Sequence, residues 1–324
     1  MQPHPKISVV IPFYNAEKFI EQTLSSLQKQ TFKEFEVLCV DDGSSDSSVE
    51  ILNKFSKTDP RIRVFQKPNG GTAVRCVVFA LPHCRGDWFF FSSHDDFFSE
   101  DLLEKMYTRA TETGAECILP DVVMYEEGNP NPKIFKPPLD NYDLILSGEE
   151  AFKLSVDSWK IHGNSLRELK SFQKSGIDGE LFNSDEFAGW RHFLHSKKIA
   201  FSHGTFFYRQ NPNAITKQTK PLNFEALITD IRVLNLIESM KVRAPSIWNL
   251  FLKKRIKACI SELRTAKKKI RNATQNPPPS PFSEEWEQVK FTIKTQVRSP
   301  LLCMILRNRY WSMLFRFIWK LYLT

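Results

Sequence analysis

Short apolar runs alternate with helical patterns through about the first 110 residues, and this alternation restricts the fold more than any other feature of the chain. The runs are predicted strands, and apolar residues at helical spacing follow them, as at Ile20, Leu24 and Leu27. A helix between successive strands is typical of right-handed crossovers, so the pattern predicts an α/β fold with a parallel sheet. The predicted strands cover residues 7–12, 36–40 and 62–66 and a short run at 89–91.

Polar or glycine-containing segments directly follow each predicted strand. Parallel strands place their carboxyl ends at one edge of the sheet, and ligands of open α/β sheets bind there. We therefore expect these segments to converge on one crevice. They are Tyr14-Asn15, Asp41-Asp42-Gly43-Ser44-Ser45-Asp46, Asn69-Gly70-Gly71 and Asp95-Asp96.

The adjacent carboxylates Asp95 and Asp96 stand where the strand Phe89–Phe91 is predicted to end. Carboxylate oxygens suit a hard divalent cation, which in turn could neutralise a diphosphate. A second interpretation is a solvated helix cap, because Ser99 and a helical pattern follow closely. The sequence leaves both open.

Four motifs occur in order and resemble glycosyltransferase family 2, inverting enzymes with a nucleotide-sugar-binding α/β domain. They are Ser-Val-Val-Ile-Pro-Phe-Tyr-Asn, Val-Asp-Asp-Gly-Ser-Ser-Asp, Asn-Gly-Gly and the acidic pair after a hydrophobic strand. The resemblance covers about residues 6–125 strongly and reaches more weakly to about 220. It implies a GT-A-type fold, with a mainly parallel sheet flanked by helices, followed here by a C-terminal helical extension.

The resemblance implies a donor site assembled from several of these segments. Asp41 or Asp42 would accept hydrogen bonds from the uracil or its ribose, as a carboxylate can from a base N–H and from hydroxyls. Arg75 would approach the diphosphate, although a helix-surface arginine fits the sequence equally well. The full set of predicted donor-binding residues is Pro12, Tyr14, Glu17, Asp41, Asp42, Gly70, Arg75, Asp95 and Arg209.

The resemblance also implies a metal site for Mn²⁺ or Mg²⁺. The family's metal motif usually reads Asp-x-Asp-Asp, and Asp95 and Asp96 match its end, whereas Ser93 stands at its first position. We therefore expect Asp95 and Asp96 to be the metal ligands, with one carboxylate fewer than the family pattern.

Family members carry an acidic pair that opens a later helix, and Asp185 and Glu186 match it. Displacement at the anomeric carbon needs a carboxylate that takes the proton of the acceptor hydroxyl. Asp185 is the preferred base and Glu186 the second choice. Both residues also fit first-turn acids that are stabilised by the helix dipole.

The basic charge belongs to the C-terminal third alone. Residues 222–324 contain 19 Lys+Arg against 7 Asp+Glu, whereas residues 1–221 contain 26 against 30. In the final segment Arg309, Ser312, Arg316 and Lys320 share one helical face, and large aromatic residues cover much of the rest. This pattern predicts a membrane-interface helix at 300–324 on an anionic inner-membrane surface, or a helix that packs on its own domain or on a partner subunit. No recognisable nucleic-acid motif accompanies the charge, so we expect no nucleic-acid partner.

The predicted organisation has three parts. Residues 1–125 form the nucleotide-sugar-binding half, 126–220 the acceptor-binding half of the same catalytic domain, and 221–324 the basic helical region. Six cysteines without a C-x-x-C pair indicate reduced thiols in a cytosolic protein. Residues 1–6 run directly into a strand pattern, which predicts no signal peptide, and the apolar run 301–306 is too short to span a bilayer. We expect a cytoplasmic protein, peripherally associated with the inner face of the cell membrane.

The resemblance predicts an enzyme that moves a hexose or N-acetylhexosamine from a UDP-sugar to a saccharide or lipid-linked glycan acceptor. Lipopolysaccharide, lipooligosaccharide or capsule assembly would be its setting. Two alternatives remain: a non-catalytic scaffold that binds nucleotide sugar, and a nucleotidyltransferase. The second should carry a basic, glycine-rich phosphate loop near the first strand, which Pro12-Phe13-Tyr14-Asn15 does not resemble.

Overall fold

A computed structural model describes residues 4–158, 160–177, 184–211 and 223–240, together with Ser261, Phe291 and Thr295. The chain divides into two compact units, Met1–Glu180 with Ser184–Gln218 and Leu181–Asn183 with Thr219–Thr324. The strands are β1 (Ile7–Phe13), β2 (Phe35–Asp41), β3 (Ile62–Gln66), β4 (Trp88–Phe91), β5 (Phe97–Phe98), β6 (Cys117–Tyr125), β7 (Ile134–Phe135), β8 (Ile145–Leu146), β9 (Leu166–Glu168) and β10 (Ile199–Arg209). The helices are α1 (Ile20–Gln28), α2 (Ser48–Thr58), α3 (Ala73–Ala80), α4 (Leu102–Thr113), α5 (Gly148–Ser158), α6 (Leu169–Ser175), α7 (Ser184–His195) and α8 (Asn223–Met240).

The strands of the first unit form one sheet in the order β3-β2-β1-β4-β9-β6-β10-β5. The first four strands in this order are all parallel, whereas β9 runs antiparallel to both β4 and β6. Strand β10 is parallel to β6 and antiparallel to β5 and β8. The predicted α/β fold is confirmed, and the sheet as a whole is mixed, with its longest run of parallel strands in the N-terminal part of the chain.

Side chains of β1 alternate between two apolar layers, which explains why its sequence is buried throughout. Val9 and Ile11 face the cluster that contains residues of α1, α2 and α4, whereas Val10 faces the cluster built from α3, α6 and α7. Helices therefore cover both faces of the sheet. A strand buried on both faces needs a continuous apolar run, and this run is what made β1 recognisable in the sequence.

The order of the strands creates a switch point between β1 and β4. The chain moves outward from β1 to β2 and β3 and then returns to the other side of β1 as β4. The helices on the two sides of the switch point pack on opposite faces, with α1 in one apolar cluster and α3 in the other. In open α/β sheets this arrangement leaves a crevice at the carboxyl ends of the two central strands.

The structure of the segment after β4 disagrees with the interpretation of Asp95 and Asp96 as a helix cap. Strand β5 separates both residues from α4, and the residue that caps α4 is Asp101. Gly114, with a positive φ of 62°, ends the same helix in the left-handed conformation that favours glycine. The helix-cap interpretation is therefore wrong for the acidic pair.

Helix α8 is the described element of the second unit. It buries Ile231, Leu234 and Ile237, which lie along one side of the helix. The predicted membrane-interface helix at 300–324 lies outside the described residues. Within the described part of the chain, no helix combines the length and the apolar character that crossing a bilayer requires.

Candidate active site

Two loops at the carboxyl edge of the sheet, residues 14–17 after β1 and 43–48 after β2, are tied together. Their polar atoms exchange hydrogen bonds: Asn15 N–H to Ser44 Oγ at 3.0 Å, Ser45 N–H to Asn15 Oδ1 at 2.9 Å, Ala16 N–H to Ser48 Oγ at 2.7 Å, Glu17 N–H to Asp46 Oδ2 at 3.1 Å and Ser47 N–H to Glu17 Oε2 at 3.1 Å. The predicted donor residue Glu17 is thus part of this rim. Pro12 is buried in β1, and Tyr14 is 47% exposed.

Asp41 and Asp42, at the end of β2, are both buried but have different partners. Asp42 accepts a hydrogen bond from Gly70 N–H at 2.8 Å on Oδ1 and from Gly71 N–H at 3.0 Å on Oδ2, and it pairs with Lys67. Its carboxylate therefore holds the glycine loop after β3. Oδ1 of Asp41 accepts from Ser44 N–H at 2.9 Å.

Arg75 lies on the first turn of α3 and is exposed. Its guanidinium donates to the carbonyl of Gly70, so that it braces the same loop from the helix side. Gly70, predicted to bind the donor, is therefore held by Asp42 through its N–H and by Arg75 through its carbonyl. The diphosphate contact predicted for Arg75 stays a prediction.

Asp95 and Asp96 are presented by the loop after β4, which several elements hold in place. Thr23 of α1 donates to the carbonyls of His94 at 2.8 Å and Asp96 at 2.6 Å. The Asp96 side chain is 3% exposed and accepts from the main-chain N–H of Arg209 at 3.0 Å and of Ser93 at 3.4 Å. Burial and then the charge of Asp95 raise the pKa of Asp96 well above its usual value.

Asp95 has a different environment from Asp96. Its carboxylate is partly exposed and accepts from Asn211 Nδ2 at 3.1 Å on one oxygen. Both oxygens of Asp96 are bonded to main-chain N–H groups. Asp95 is therefore the member of the pair that can present a carboxylate to a ligand outside the protein.

The guanidinium of Arg209 braces the Asp95 loop. Its Nε donates to the carbonyl of Asp95 at 2.8 Å, and its Nη2 donates to Gln22 Oε1. The charged group lies over three aromatic rings, at 4.8 Å from the ring centroid of Phe19, 5.3 Å from that of Phe97 and 5.0 Å from that of Tyr125. These contacts give Arg209 a structural role, and its predicted contact with the donor stays a prediction.

Among the described residues, no three His, Cys, Asp or Glu side chains form a group that could hold a metal ion. The donor set at the predicted metal position is the Asp95 carboxylate, with Ser93 and the buried Asp96 beside it. A single accessible carboxylate fits a cation that takes its remaining ligands from a diphosphate and from water, which is the usual way in which Mg²⁺ is held.

Asp185 and Glu186 lie in the first turn of α7, as predicted. Both side chains are partly exposed. Burial raises the pKa of Asp185, while main-chain N–H groups at the start of the helix and the charge of Arg167 lower it in part. A carboxylate with a raised pKa is better suited to accept a proton than an ordinary surface aspartate.

The pKa of Tyr208, on β10, is affected by both acidic pairs. Burial, followed by the charges of Asp96, Asp95, Asp185 and Glu186, raises the pKa of Tyr208 to about 12. The fold therefore brings the pair after β4 and the pair on α7 within electrostatic reach of one phenol. The ring of Tyr208 contacts that of His162 with centroids 5.6 Å apart, so the packing role expected for a β-strand tyrosine is also present.

Three partners of the site were missed in the sequence: Lys67, Arg167 and Asn211. Lys67 follows β3 directly, and Asn211 follows β10 by two residues, so the rule that polar residues after strands form the site could have found both. No such signal existed for Arg167. It lies on the three-residue strand β9, which is too short to show a sequence period.

Comparison with known proteins shows one family. The profile described as Glycosyl transferase family 2 matches residues 8–174. Glycosyltransferase GlyG of Streptococcus pneumoniae is 27% identical over 236 residues, which are 69% of this chain and 77% of that protein. The Campylobacter jejuni enzyme named GalNAc(5)-diNAcBac-PP-undecaprenol beta-1,3-glucosyltransferase is 27% identical over 210 residues, or 62% of this chain and 63% of that protein.

Among solved structures, S. aureus TarS 1-349 in complex with UDP superposes with a TM-score of 0.60 at 19% identity, over 78% of this chain and 72% of that one. At this identity the likeness concerns the fold, which is that of GT-A glycosyltransferases.

Proposed function

The chain belongs to glycosyltransferase family 2, and from this membership we propose that it transfers a hexose or N-acetylhexosamine from a UDP-sugar to a saccharide acceptor with inversion at the anomeric carbon. The proposal is supported by the position of two acidic pairs, one after β4 and one in the first turn of α7, the charges of which both raise the pKa of Tyr208. Transfer of a sugar needs both kinds of group, one for the departing diphosphate and one for the attacking hydroxyl.

The donor nucleotide lies against the loops after β1, β2 and β3. Asp41 recognises the uracil or ribose, because the carboxylate of Asp42 is already engaged by Lys67, Gly70 and Gly71. Pro12 and Tyr14 line the pocket, and Glu17 fixes its rim. A UDP-sugar is favoured because the TarS structure with this fold contains UDP.

Asp95 would hold the metal, Mn²⁺ or Mg²⁺. Enzymes of this fold commonly use a divalent cation. When bound, it supplies positive charge for the diphosphate as the sugar departs. Asp96, whose oxygens are bonded to main-chain N–H groups, keeps the loop in position. Arg209 supports the same loop through the carbonyl of Asp95.

Asp185 is the general base. Its carboxylate takes the proton of the acceptor hydroxyl as the oxygen forms its bond to the anomeric carbon on the face opposite the diphosphate. The bond from that carbon to the phosphate oxygen breaks at the same time, and the nucleoside diphosphate leaves with the electron pair. A single displacement of this kind inverts the anomeric configuration.

The acceptor is a growing glycan on a lipid carrier, in the assembly of lipopolysaccharide, lipooligosaccharide or capsule. The name of the Campylobacter relative, which contains a saccharide on undecaprenyl diphosphate, supports this class. The cytoplasmic location and the peripheral contact of residues 300–324 with the inner membrane rest on the basic and aromatic pattern of that segment.

Calorimetric titration with UDP and GDP, with Mn²⁺ and with a chelator, tests the donor and the metal together. We expect UDP to bind more tightly than GDP and to lose affinity when the metal is removed. Hydrolysis of a panel of UDP-sugars without acceptor then identifies the sugar. Binding of UDP with no hydrolysis and no transfer to any glycan would favour the non-catalytic scaffold, and binding of neither nucleotide would refute the donor assignment.

A further inference from the structure

Arg167 is a buried cation at the centre of the sheet. It lies on β9, in register with Phe89 of β4 and Cys117 of β6, and is 6% exposed. Its Nη2 donates to the carbonyl of Gly163 at 2.6 Å, and the guanidinium lies 5.1 Å from the ring centroid of Phe172. Its Nε has no hydrogen-bond partner among the described residues.

A buried guanidinium with an unsatisfied N–H is costly, because its lost hydration is only partly replaced. An apolar residue at this position would pack beside the ring of Phe172 without that cost. The interior of the sheet therefore contains a charge that the stability of the fold does not require.

Helix α7 lies against this charge. A Cβ atom added to Gly189 would lie 3.4 Å from Nη2 of Arg167, so that a glycine at this position gives the guanidinium room beside the helix backbone. Asp185 precedes Gly189 by four residues and therefore occupies the same face of α7, about 6 Å nearer to its N-terminus. The carboxylate whose charge acts on Arg167 is that of Asp185.

We propose that Arg167 is a positioning residue whose positive charge, beside α7 one turn from Asp185, keeps that carboxylate able to take the proton of the acceptor hydroxyl. The inference rests on the proposed role of Asp185 as general base and deepens it. Together with the main-chain N–H groups at the start of α7, the positive charge opposes the effect of burial on the pKa of Asp185.

Other charged groups face Asp185 less directly. Glu186 is its neighbour on α7, and Tyr208 approaches from β10. Helices α5 and α6 also pack on α7, and five of their charged side chains are exposed or partly exposed, so that solvent screens them. These side chains are Glu149, Glu150, Lys153, Lys170 and Lys174.

The test is the pH dependence of kcat/KM in Arg167→Met. Activity needs ionised Asp185 and therefore falls as the pH drops through the pKa of that carboxyl. Removal of the cation should raise this pKa. We therefore expect the acid limb of the profile of kcat/KM against pH to move to higher pH by about one unit, which is the lower end of the pKa shift that a nearby opposite charge causes. A carbon-13 NMR titration of labelled aspartates, with the Asp185 signal identified by its loss in Asp185→Asn, should show the same displacement without any substrate.

Three further variants make the result decisive. Arg167→Lys keeps the charge and should move the acid limb less than Arg167→Met does. Arg191→Met removes an arginine from the same helix, one that lies over the ring of Phe187, and should leave the limb in place. Arg167→Met should melt at or above the temperature of the wild type, because a buried charge is replaced by an apolar side chain. If it does not fold, Arg167→Gln replaces it in the same measurements.

The outcomes separate this inference from the proposed function. A wild-type acid limb and an unchanged NMR titration of Asp185 in Arg167→Met would overturn the positioning role. Wild-type turnover in Asp185→Asn would instead remove the base assignment itself. Loss of activity in Asp185→Asn together with a displaced limb in Arg167→Met supports both.

Discussion

The main-chain N–H of Arg209 donates to Oδ1 of Asp96 at 3.0 Å and joins the end of β10 to the loop after β4. This hydrogen bond engages a carboxylate oxygen of Asp96 in a contact that stabilises the fold. It leaves Asp95, partly exposed beside it, as the carboxylate that can face a substrate.

Asp95→Asn should lower turnover by about a hundredfold or more and weaken metal-dependent UDP binding, because the substitution removes the anionic ligand of the cation. Asp96→Asn should retain more activity than Asp95→Asn, since both oxygens of Asp96 accept hydrogen bonds from main-chain N–H groups and support the loop. Calorimetry with UDP and Mn²⁺ compares the two variants. An equal loss in both would make Asp96 a metal ligand as well, as the sequence motif predicts.

Asp41→Asn should weaken UDP binding by about tenfold to a hundredfold, the effect of losing a hydrogen bond to a charged group, and should leave the melting temperature nearly unchanged. Asp42→Asn should lower both the affinity for UDP and the melting temperature, because Asp42 holds Lys67 and the N–H groups of Gly70 and Gly71. Nucleotide titration and thermal melting of both variants check this difference. The assignment of Asp41 is wrong if its variant binds UDP as the wild type does.

Asp185→Asn should lower turnover by about 10²–10⁴-fold, the contribution of a general base, with UDP affinity unchanged. Single-turnover kinetics and nucleotide titration separate the two effects. Glu186→Gln is the matched control and should retain most of the activity. If Asp185→Asn abolishes UDP binding, the residue belongs to the donor pocket.

Glu36 supports the opposite end of the parallel strands. Its buried carboxylate accepts from Ser8 Oγ at 2.8 Å and from Arg85 N–H at 2.6 Å, and pairs with Arg63 and Arg85, each at 2.8 Å. Burial alone would raise the pKa of Glu36, but these partners lower it overall. Glu36→Gln should reduce the free energy of unfolding by about 2 kcal/mol at pH 7.

The loss of unfolding free energy in Glu36→Gln should decrease as the pH falls. A carboxylate whose folded-state pKa is lowered contributes stability above its unfolded pKa of about 4.3, and this contribution disappears as the pH falls through the folded-state pKa. The difference between wild type and Glu36→Gln should therefore shrink below about pH 4. Urea unfolding at pH 7 and pH 3 measures it, with exposed Glu21→Gln as the control. A difference that is the same at both pH values would contradict this role.

Deletion of residues 300–324 should release the protein from membranes. A helix with Arg309, Arg316 and Lys320 on one face, as the sequence predicts, would attract anionic headgroups by about 1 kcal/mol per charge near the surface. Sedimentation with vesicles that contain anionic lipid measures the effect, and replacement of these three residues by Gln should give a partial loss. Unchanged sedimentation of the deletion variant would refute the interfacial role.

The sequence predicted the elements whose patterns are long and local. The bounds of β3 agree with the prediction, and β1 and β2 differ from theirs by a residue at their ends. Short elements were missed. Strand β5 has two residues and β9 has three, so neither contains a full period, and both are defined by the strands beside them.

The cysteines also show what the sequence predicted and what only the structure revealed. Cys39, Cys76, Cys84 and Cys117 are free, as the absence of a paired spacing indicated. Burial raises the pKa of the Cys117 thiol to about 11, which no sequence pattern could reveal. Cys259 and Cys303 lie outside the described residues.

The sequence by itself determined the fold class, the family and the chemical types at the site, since each of these depends on residues close together in the chain. Only the tertiary structure decided what each residue does. Asp42 meets Gly70 across 28 positions, and Asp95 meets Asn211 across 116. Packing sets such partners, and burial decides which carboxylate supports the fold and which remains available for a ligand. Asp95 and Asp96 are neighbours of the same residue type, and only their positions in the fold distinguish them.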